Sequence, residues 1–270
     1  MEKTTIIANL LVWLFLSLFP TNIEGKMKNI KLFNLNCWLL PTGFSSENHS
    51  RLDKIIKLIK KENPDIITLQ EVWTNDSIAK IKKELKDYKI IYSKNLIFNR
   101  TGLVTGLRMP HKSHKVEFYP LSESHSPLER LARKGYQIIN LDEELTLVNT
   151  HLYNPTNKRE KEITKKQCKY LLDLTNRLDW KKVVIIGDFN LSRKEIYRLG
   201  GNINFGSDEY LIDISENKYI FYRGNKHKKY NDRIDYLLYN KKNDLNIRTK
   251  LLLEEKLSDH YPIIANIKRK

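Results

Sequence analysis

The sequence predicts an α+β sandwich, two packed and mainly antiparallel sheets with outer helices. Apolar runs of strand length outnumber apolar stripes at helical spacing, and the helical stripes fall near the start of each half of the 270-residue chain. Between them, residues 88–150 read as a succession of strands and turns. Five apolar runs also deliver polar groups at one end. They are Asn36 after Ile30–Leu35, Glu71 after Ile66–Gln70, His151 after Leu145–Thr150, Asp188 and Asn190 after Val183–Gly187, and Asp259-His260 before Tyr261–Ile267. A chain that repeats this arrangement is building one polar site on a sheet scaffold.

Residues 28–38 are expected to form the first strand. Leu52, Ile55, Ile56, Leu58 and Ile59 make an apolar stripe over a helix at 50–62, lysines occupy its other face, and Asn63-Pro64 stops it. Asp65–Leu69 reads as a short buried strand. A second helix is expected at 75–86, with Ile78, Ile81 and Leu85 inward and Asn75 or Asp76 as cap. Runs at 88–92, 103–108, 115–119, 136–141 and 145–150 read as antiparallel strands, with Asp142-Glu143-Glu144 as a hairpin turn. The polar segment Leu121–Gly135, carrying Pro127, reads as a long loop beside the site. A Lys-rich helix at 158–179 turns Ile163, Cys168, Leu171, Leu172 and Leu178 inward. A strand at 182–187 and a loop with helical turns to about 200 follow, then strands near 210–214, 233–239, 247–253 and 261–267.

The bulk numbers agree with one sizeable catalytic domain over 27–270: 40% of residues are hydrophobic and 30% charged. Net charge is +16, and Glu2, Lys3, Glu24 and Lys26 cancel, so the excess lies wholly after residue 26. It favours an anionic partner, nucleic acid or a membrane surface carrying acidic lipid. The abundance of Lys, Asn and Ile is also what an AT-rich genome produces, and no unbroken basic block marks a binding arm. Cys37 and Cys168, each in an expected core element, form neither a disulfide framework nor a zinc site.

Residues 6–19 are nearly all apolar, broken by Asn9 and Ser17 and preceded by Lys3. That stretch is short for a bilayer span and suits the apolar region of a signal peptide. Thr21–Gly25 lacks a clean small-x-small cleavage pattern. Residues 1–26 are therefore expected to be a signal peptide or a membrane anchor outside the fold, giving a secreted or membrane-associated protein. A start at Met27 would make it cytoplasmic.

Carboxylates, carboxamides and imidazoles without cysteine ligands point to a hard cation, Mg²⁺, Mn²⁺ or Ca²⁺, rather than zinc. Glu71 is the first candidate for its carboxylate ligand. Asn36 can add a neutral oxygen, with Asn34 one pleat back as the alternative and a structural Asx turn as the plainer reading. Asp188 and Asn190, two residues apart, point the same way in an extended segment and can act on one oxyanion or one water. Alone, Gly187-Asp188-Phe189-Asn190 reads equally well as a turn. His260 suits a general base, oriented by Asp235 or, second, Asp232. His151 can hydrogen-bond a phosphate oxygen, and Lys134 before Gly135 can reach one too.

Together these stretches, from Lys31 to Ile267, resemble the endonuclease/exonuclease/phosphatase superfamily of metal-dependent phosphoesterases. The resemblance implies a four-layer αββα sandwich and Mg²⁺-dependent phosphodiester hydrolysis, with Mn²⁺ or Co²⁺ as substitutes. By motif it implies metal-binding Asn36 and Glu71, supported by Asp259, and catalytic Asp188, Asn190, His151 and His260 with Asp235 as the orienting acid. Phe33-Asn34-Leu35-Asn36-Cys37-Trp38 followed by Pro41 is similar to the first motif of neutral sphingomyelinases. Leu69-Gln70-Glu71-Val72-Trp73, Thr150-His151-Leu152 and Arg233-Ile234-Asp235-Tyr236 agree with them too, whereas Leu39-Leu40 stand where some members carry Gly-Ile. The expected activity is thus a sphingomyelinase-type phospholipase C, acting at a phospholipid membrane surface and releasing ceramide and phosphocholine. The alternative is a DNase I-like nuclease acting on nucleic acid. No obligate protein partner is implied.

Overall fold

Strand β1 (Asn29–Leu39) leads through helix α1 (Asn48–Glu62) into β2 (Ile66–Val72), which pairs with β1 in parallel. Parallel neighbours need a crossover of this length, and the helix supplies it. Asn63, at φ 49°, turns the chain out of α1. Next come α2 (Asn75–Glu84), β3 (Lys89–Tyr92), β4 (Val104–Leu107), β5 (Ser113–Phe118), β6 (Gly135–Asn140) and β7 (Thr146–His151). A second parallel unit follows: β7 passes through α3 (Lys158–Arg177) to β8 (Val183–Asp188). Then come α4 (Arg193–Leu199), β9 (Ile203–Phe205), β10 (Ser207–Asp208), β11 (Ile220–Arg223), β12 (Lys226–Lys229), β13 (Asp235–Asn240), β14 (Leu245–Leu251) and β15 (Ile263–Arg269). The computed structural model describes residues 29–41, 48–94, 98–121, 130, 133–179, 182–200, 203–205, 207–208, 220–223, 226–229, 234–240, 244–253, 255 and 257–269. The expected leader at 1–26, most of the 121–135 loop, the strand near 210–214 and Asp232 lie outside the described residues.

Among the described residues the strands form a seven-stranded sheet, β10-β14-β15-β1-β2-β4-β3, a six-stranded sheet, β5-β6-β7-β8-β13-β9, and the hairpin β11-β12. Within the two large sheets the pairs β1–β2, β7–β8 and β10–β14 are parallel, and the others are antiparallel. Three apolar strata hold four layers together. Ile30, Leu32, Ile66 and Ala265 of the first sheet meet Leu147, Val184, Ile186 and Leu237 of the second. Ile55, Ile59, Ile78 and Ile81 of α1 and α2 cover the outer face of the first sheet against Phe33, Leu35 and Leu69. Cys168, Leu171, Leu172 and Ile196 of α3 and α4 cover the second against Val183 and Ile185. The result is the αββα sandwich. Strands buried on both faces read as near-continuous apolar runs, which is how β1, β2 and β8 appear in the sequence.

This topology gathers the polar ends. The C-terminal ends of β1, β2, β7 and β8 lie at one edge of the sandwich. β13 runs antiparallel to β8 with Asp235 opposite Asp188, and β15 runs antiparallel to β1 with Ile263 opposite Asn34. The starts of β13 and β15 therefore reach the same edge, bringing Asp235 and the 259–260 segment to it.

Several boundaries differ from expectation for local reasons. β2 runs on to Val72, so Glu71 sits within the strand rather than after it. A register shift between Asn36 and Leu39 makes a bulge there, and Trp38 (φ 50°) and Glu71 (φ 55°) both adopt the left-handed region. The α2 cap is Thr74, whose hydroxyl accepts from the Ser77 N–H, instead of Asn75 or Asp76. The helical turns before residue 200 are helix α4, begun by a Ser192–Glu195 capping box. Among the described residues no helix is long and apolar enough to cross a membrane.

Candidate active site

Asp188 is the hub of the edge. It ends β8 after Gly187, where only glycine fits: φ is 146° and a Cβ would lie 1.9 Å from the Thr150 carbonyl oxygen of the neighbouring strand. The Asp188 Oδ1 accepts the Asn190 backbone N–H at 2.9 Å, and its Oδ2 accepts the Asn36 side-chain amide at 2.9 Å. The same Asn36 nitrogen donates to Glu71 Oε1 at 3.2 Å, so one amide ties a carboxylate of each sheet together. The Asn36 oxygen accepts the Trp38 N–H at 3.1 Å, which is the anticipated Asx turn. Half a turn of this amide would exchange oxygen for nitrogen at the carboxylates. Asn34 lies deeper, accepting from Thr68 and Gln70. It is Asn36, then, that stands beside Glu71.

Across the edge, His260 Nδ1 lies 2.6 Å from Asp235 Oδ2. An imidazole that gives its Nδ1–H to a carboxylate keeps Nε2 as the working nitrogen, and that Nε2 is 3.7 Å from Asp188 Oδ2. Asp259 Oδ1 is 4.0 Å from the same Nε2 and accepts from the Ser258 hydroxyl. His151 is fully buried, with Nε2 3.4 Å from Asp188 and 3.8 Å from Glu71. The buried Lys134 ammonium lies 3.3 Å from His151 Nδ1 and 3.2 Å from its Nε2, and 5.4 Å from the Trp73 ring centre.

The electrostatics divide these groups by role. Burial pushes the Glu71 carboxyl up, the Lys134 cation opposes it, and the Asp259 charge adds to it. Burial, then the Asp235 charge, push Asp188 up to about 7, against His260 and the Asn36 hydrogen bond. Burial works against a charged His260, but Asp235, Asp188 and Asp259 together overcome it and raise it well above the imidazole range. His151 goes the other way: burial, then Lys134 and His260, hold it well below that range. That keeps the imidazole neutral, with the Lys134 ammonium in reach of both ring nitrogens and Nε2 facing the carboxylates.

The buried Asp188 and the half-buried Glu71, converging on one amide, with Asp235 and Asp259 alongside, form a donor set of hard oxygens that suits a divalent cation. Glu71 and the Asn36 amide make one candidate seat. Ligand atoms of Asp188, Asp235 and His260, within 4.8 Å of one another, make a second.

All eight site residues anticipated from the sequence meet at this edge. Asn190 reaches it differently from the extended geometry expected. At φ 49° it closes a turn back onto Asp188, and its side-chain amide donates to the Leu152 carbonyl at 3.1 Å. The sequence understated Lys134, whose signal is a lysine directly before a glycine that opens a strand. It missed Arg100 and Arg133, whose guanidiniums lie 5.0 and 4.6 Å from the Phe118 ring centre. That cluster lies near the site, since Arg133 adjoins Lys134 and Phe118 pairs with Gly135.

Residues 33–260 match the model of the Endonuclease/Exonuclease/phosphatase family. The chain belongs to that family. Its members are metal-dependent phosphodiester hydrolases, and this chain is a metal-dependent phosphodiesterase. The fold is shared with several solved structures. Sphingomyelinase C from Streptomyces griseocarneus is 16% identical, at a TM-score of 0.68, over 88% of this chain and 99% of that one. TDP2 from D. rerio, complexed with a single-strand DNA product, is 14% identical at 0.62, over 89% and 99%. A Staphylococcus aureus beta toxin variant with bound magnesium ions is 18% identical at 0.68, over 90% and 100%. At these identities the likeness speaks to the fold alone.

Proposed function

We propose that this family member is a Mg²⁺-dependent sphingomyelinase-type phospholipase C, with His260 as the general base. The observation that carries the mechanism is the 2.6 Å His260–Asp235 pair, which turns Nε2 toward Asp188, 3.7 Å away, and Asp259, 4.0 Å away. Nε2 takes the proton of a water as its oxygen attacks phosphorus in line with the departing oxygen. Glu71 and the Asn36 amide, with Asp259 nearby, would hold a Mg²⁺, which when bound would supply Lewis-acid polarisation of the phosphate. The His151 Nε2–H and the Lys134 ammonium hold non-bridging oxygens as charge grows on them. Asn190 joins them once its amide turns from the Leu152 carbonyl to the phosphate. Asp188, with its carboxyl near neutrality, suits proton delivery to the leaving oxygen.

The choline lipid is favoured by the Phe33–Trp38 and Leu69–Trp73 motifs. The apolar 6–19 segment supports secretion or membrane association. A nuclease is the second reading, favoured by Arg100 and Arg133. Neither has a carboxylate partner among the described residues, and both stack on Phe118 beside Lys134, an arrangement that suits a further phosphate of a polynucleotide. Purified protein with Mg²⁺, offered sphingomyelin liposomes and supercoiled plasmid side by side, tests the order. Phosphocholine release with intact plasmid supports the lipid reading. Nicked plasmid with inert liposomes reverses it.

A further inference from the structure

Behind the reacting groups, the interface between the sheets is not wholly apolar. Asn34, Thr68, Gln70 and Thr105 of the first sheet and Gln137 and Asn149 of the second are all fully buried. The Gln70 Nε2 donates to Asn34 Oδ1 at 2.9 Å within its own sheet and to Asn149 Oδ1 at 2.8 Å across the gap. The Asn149 amide donates back to the first sheet, to the Val104 carbonyl and the Thr105 hydroxyl at 3.2 Å each. Three members lie one or two residues behind a site residue: Asn34 behind Asn36, Gln70 behind Glu71, Asn149 behind His151. We infer that Gln70 and Asn149 form a clamp that sets the separation of the two sheets at the site, and that they are positioning residues for the reaction.

The site needs such a device. Asn36 and Glu71 come from one sheet, and His151, Asp188 and Asp235 from the other. The contacts that join the halves, at 2.9 Å for Asn36–Asp188 and 3.8 Å for Glu71–His151, tolerate little sliding. Apolar packing is non-directional and fixes the gap only loosely, whereas a hydrogen bond fixes both distance and angle. A purely stabilising role fits poorly. The Asn34 Nδ2 and Gln70 Oε1 are buried without a partner among the described residues, so the ladder carries a desolvation cost that hydrocarbon of the same shape would avoid. What the amides add over hydrocarbon is geometry.

The inference rests on the reading of this edge as the reacting site. Its test is a double-mutant cycle with Gln70→Met, Asn149→Leu and the pair, all close in volume to the native residues. Each variant is assayed for kcat and KM on a soluble phosphodiester, for Mn²⁺ affinity of the metal-free protein by electron paramagnetic resonance, and for thermal midpoint. The expected result is a kcat loss of roughly tenfold to a hundredfold in each single variant. KM stays near wild type, Mn²⁺ binding weakens, each single variant melts lower because it strands the partner amide, and the pair recovers midpoint without recovering kcat, its kcat being no worse than that of the worse single variant. Wild-type kcat and Mn²⁺ affinity in the single variants would overturn the clamp, as would losses that add or that track the melting midpoint. An inactive wild-type protein would sink the reading of the site, and Mn²⁺ affinity and its non-additivity would then decide the clamp alone.

Discussion

Replacing Asp235 by Asn changes one oxygen to nitrogen and little else, because the backbone there is pinned opposite Asp188 in the β8–β13 ladder. The 2.6 Å contact to His260 is a buried, charge-assisted hydrogen bond. Such a bond is worth roughly 1.5–3 kcal/mol, which corresponds to about a ten- to hundredfold loss in kcat/KM. If the amide instead turns its nitrogen to the ring and imposes the wrong tautomer, the loss approaches about 10⁴-fold. The pH profile carries a second signature. His260 acts as a base only when neutral, so activity rises as pH climbs through its pKa. The carboxylates hold that pKa up, Asp235 foremost among them. Asn at 235 therefore moves the acid limb of the kcat/KM profile to lower pH while lowering the plateau. Hydrolysis of bis(p-nitrophenyl) phosphate between pH 5 and 9, at one fixed Mg²⁺ concentration, reads both. Wild-type kcat/KM with an unmoved acid limb would refute the assignment of the pair.

Glu71→Ala should lose Mg²⁺ dependence and most turnover in a metal titration; a variant that still responds to Mg²⁺ places the cation elsewhere. Gly187→Ala should destabilise the fold by about 2 kcal/mol or more, read as a lower urea midpoint, because a Cβ would meet the Thr150 carbonyl at 1.9 Å and φ is 146°. In the metal-free protein Glu71 and Asp188 have raised pKa values. The stability they contribute is complete below the unfolded carboxylate range and is lost as pH rises, for Asp188 through about 7. Mg²⁺ should therefore raise the melting temperature more at pH 8 than at pH 5, and an equal shift at both would contradict this. Both thiols are buried, and burial holds Cys37 well above the usual thiol range and pushes Cys168 up to about 12. A thiol reagent should find neither in the native protein and both in guanidinium.

The fold was legible where one physical rule acted alone. Stripes such as Leu52, Ile55, Ile56 and Ile59 have no reading except a helix with one buried face, and α1 lies where they place it. The polar residues at strand ends were equally legible, since a carboxylate has no packing reason to follow Ile66–Leu69. Rules that act between distant segments were hidden. The bulge between Asn36 and Leu39 of β1, opposite Glu71, arises from register against β2, which no local window contains. The left-handed turn at Asn190 depends on the Leu152 carbonyl, 38 residues away. The inter-sheet amides did leave a trace, because Asn34/Asn36, Thr68/Gln70 and Asn149/His151 recur at spacing two inside apolar strands. Without the partner sheet, the inner member of each pair looks only like an imperfect core position.

His260 stands just ahead of β15, and β15 inserts between β14 and β1, joining the last described strand to the first. A chain emerging from the ribosome thus carries Glu71, His151 and Asp188 before His260 joins them. If His260 is the base, as proposed, hydrolytic power waits on the seating of β15 between its two neighbours, and a copy in which that strand is unseated is chemically silent.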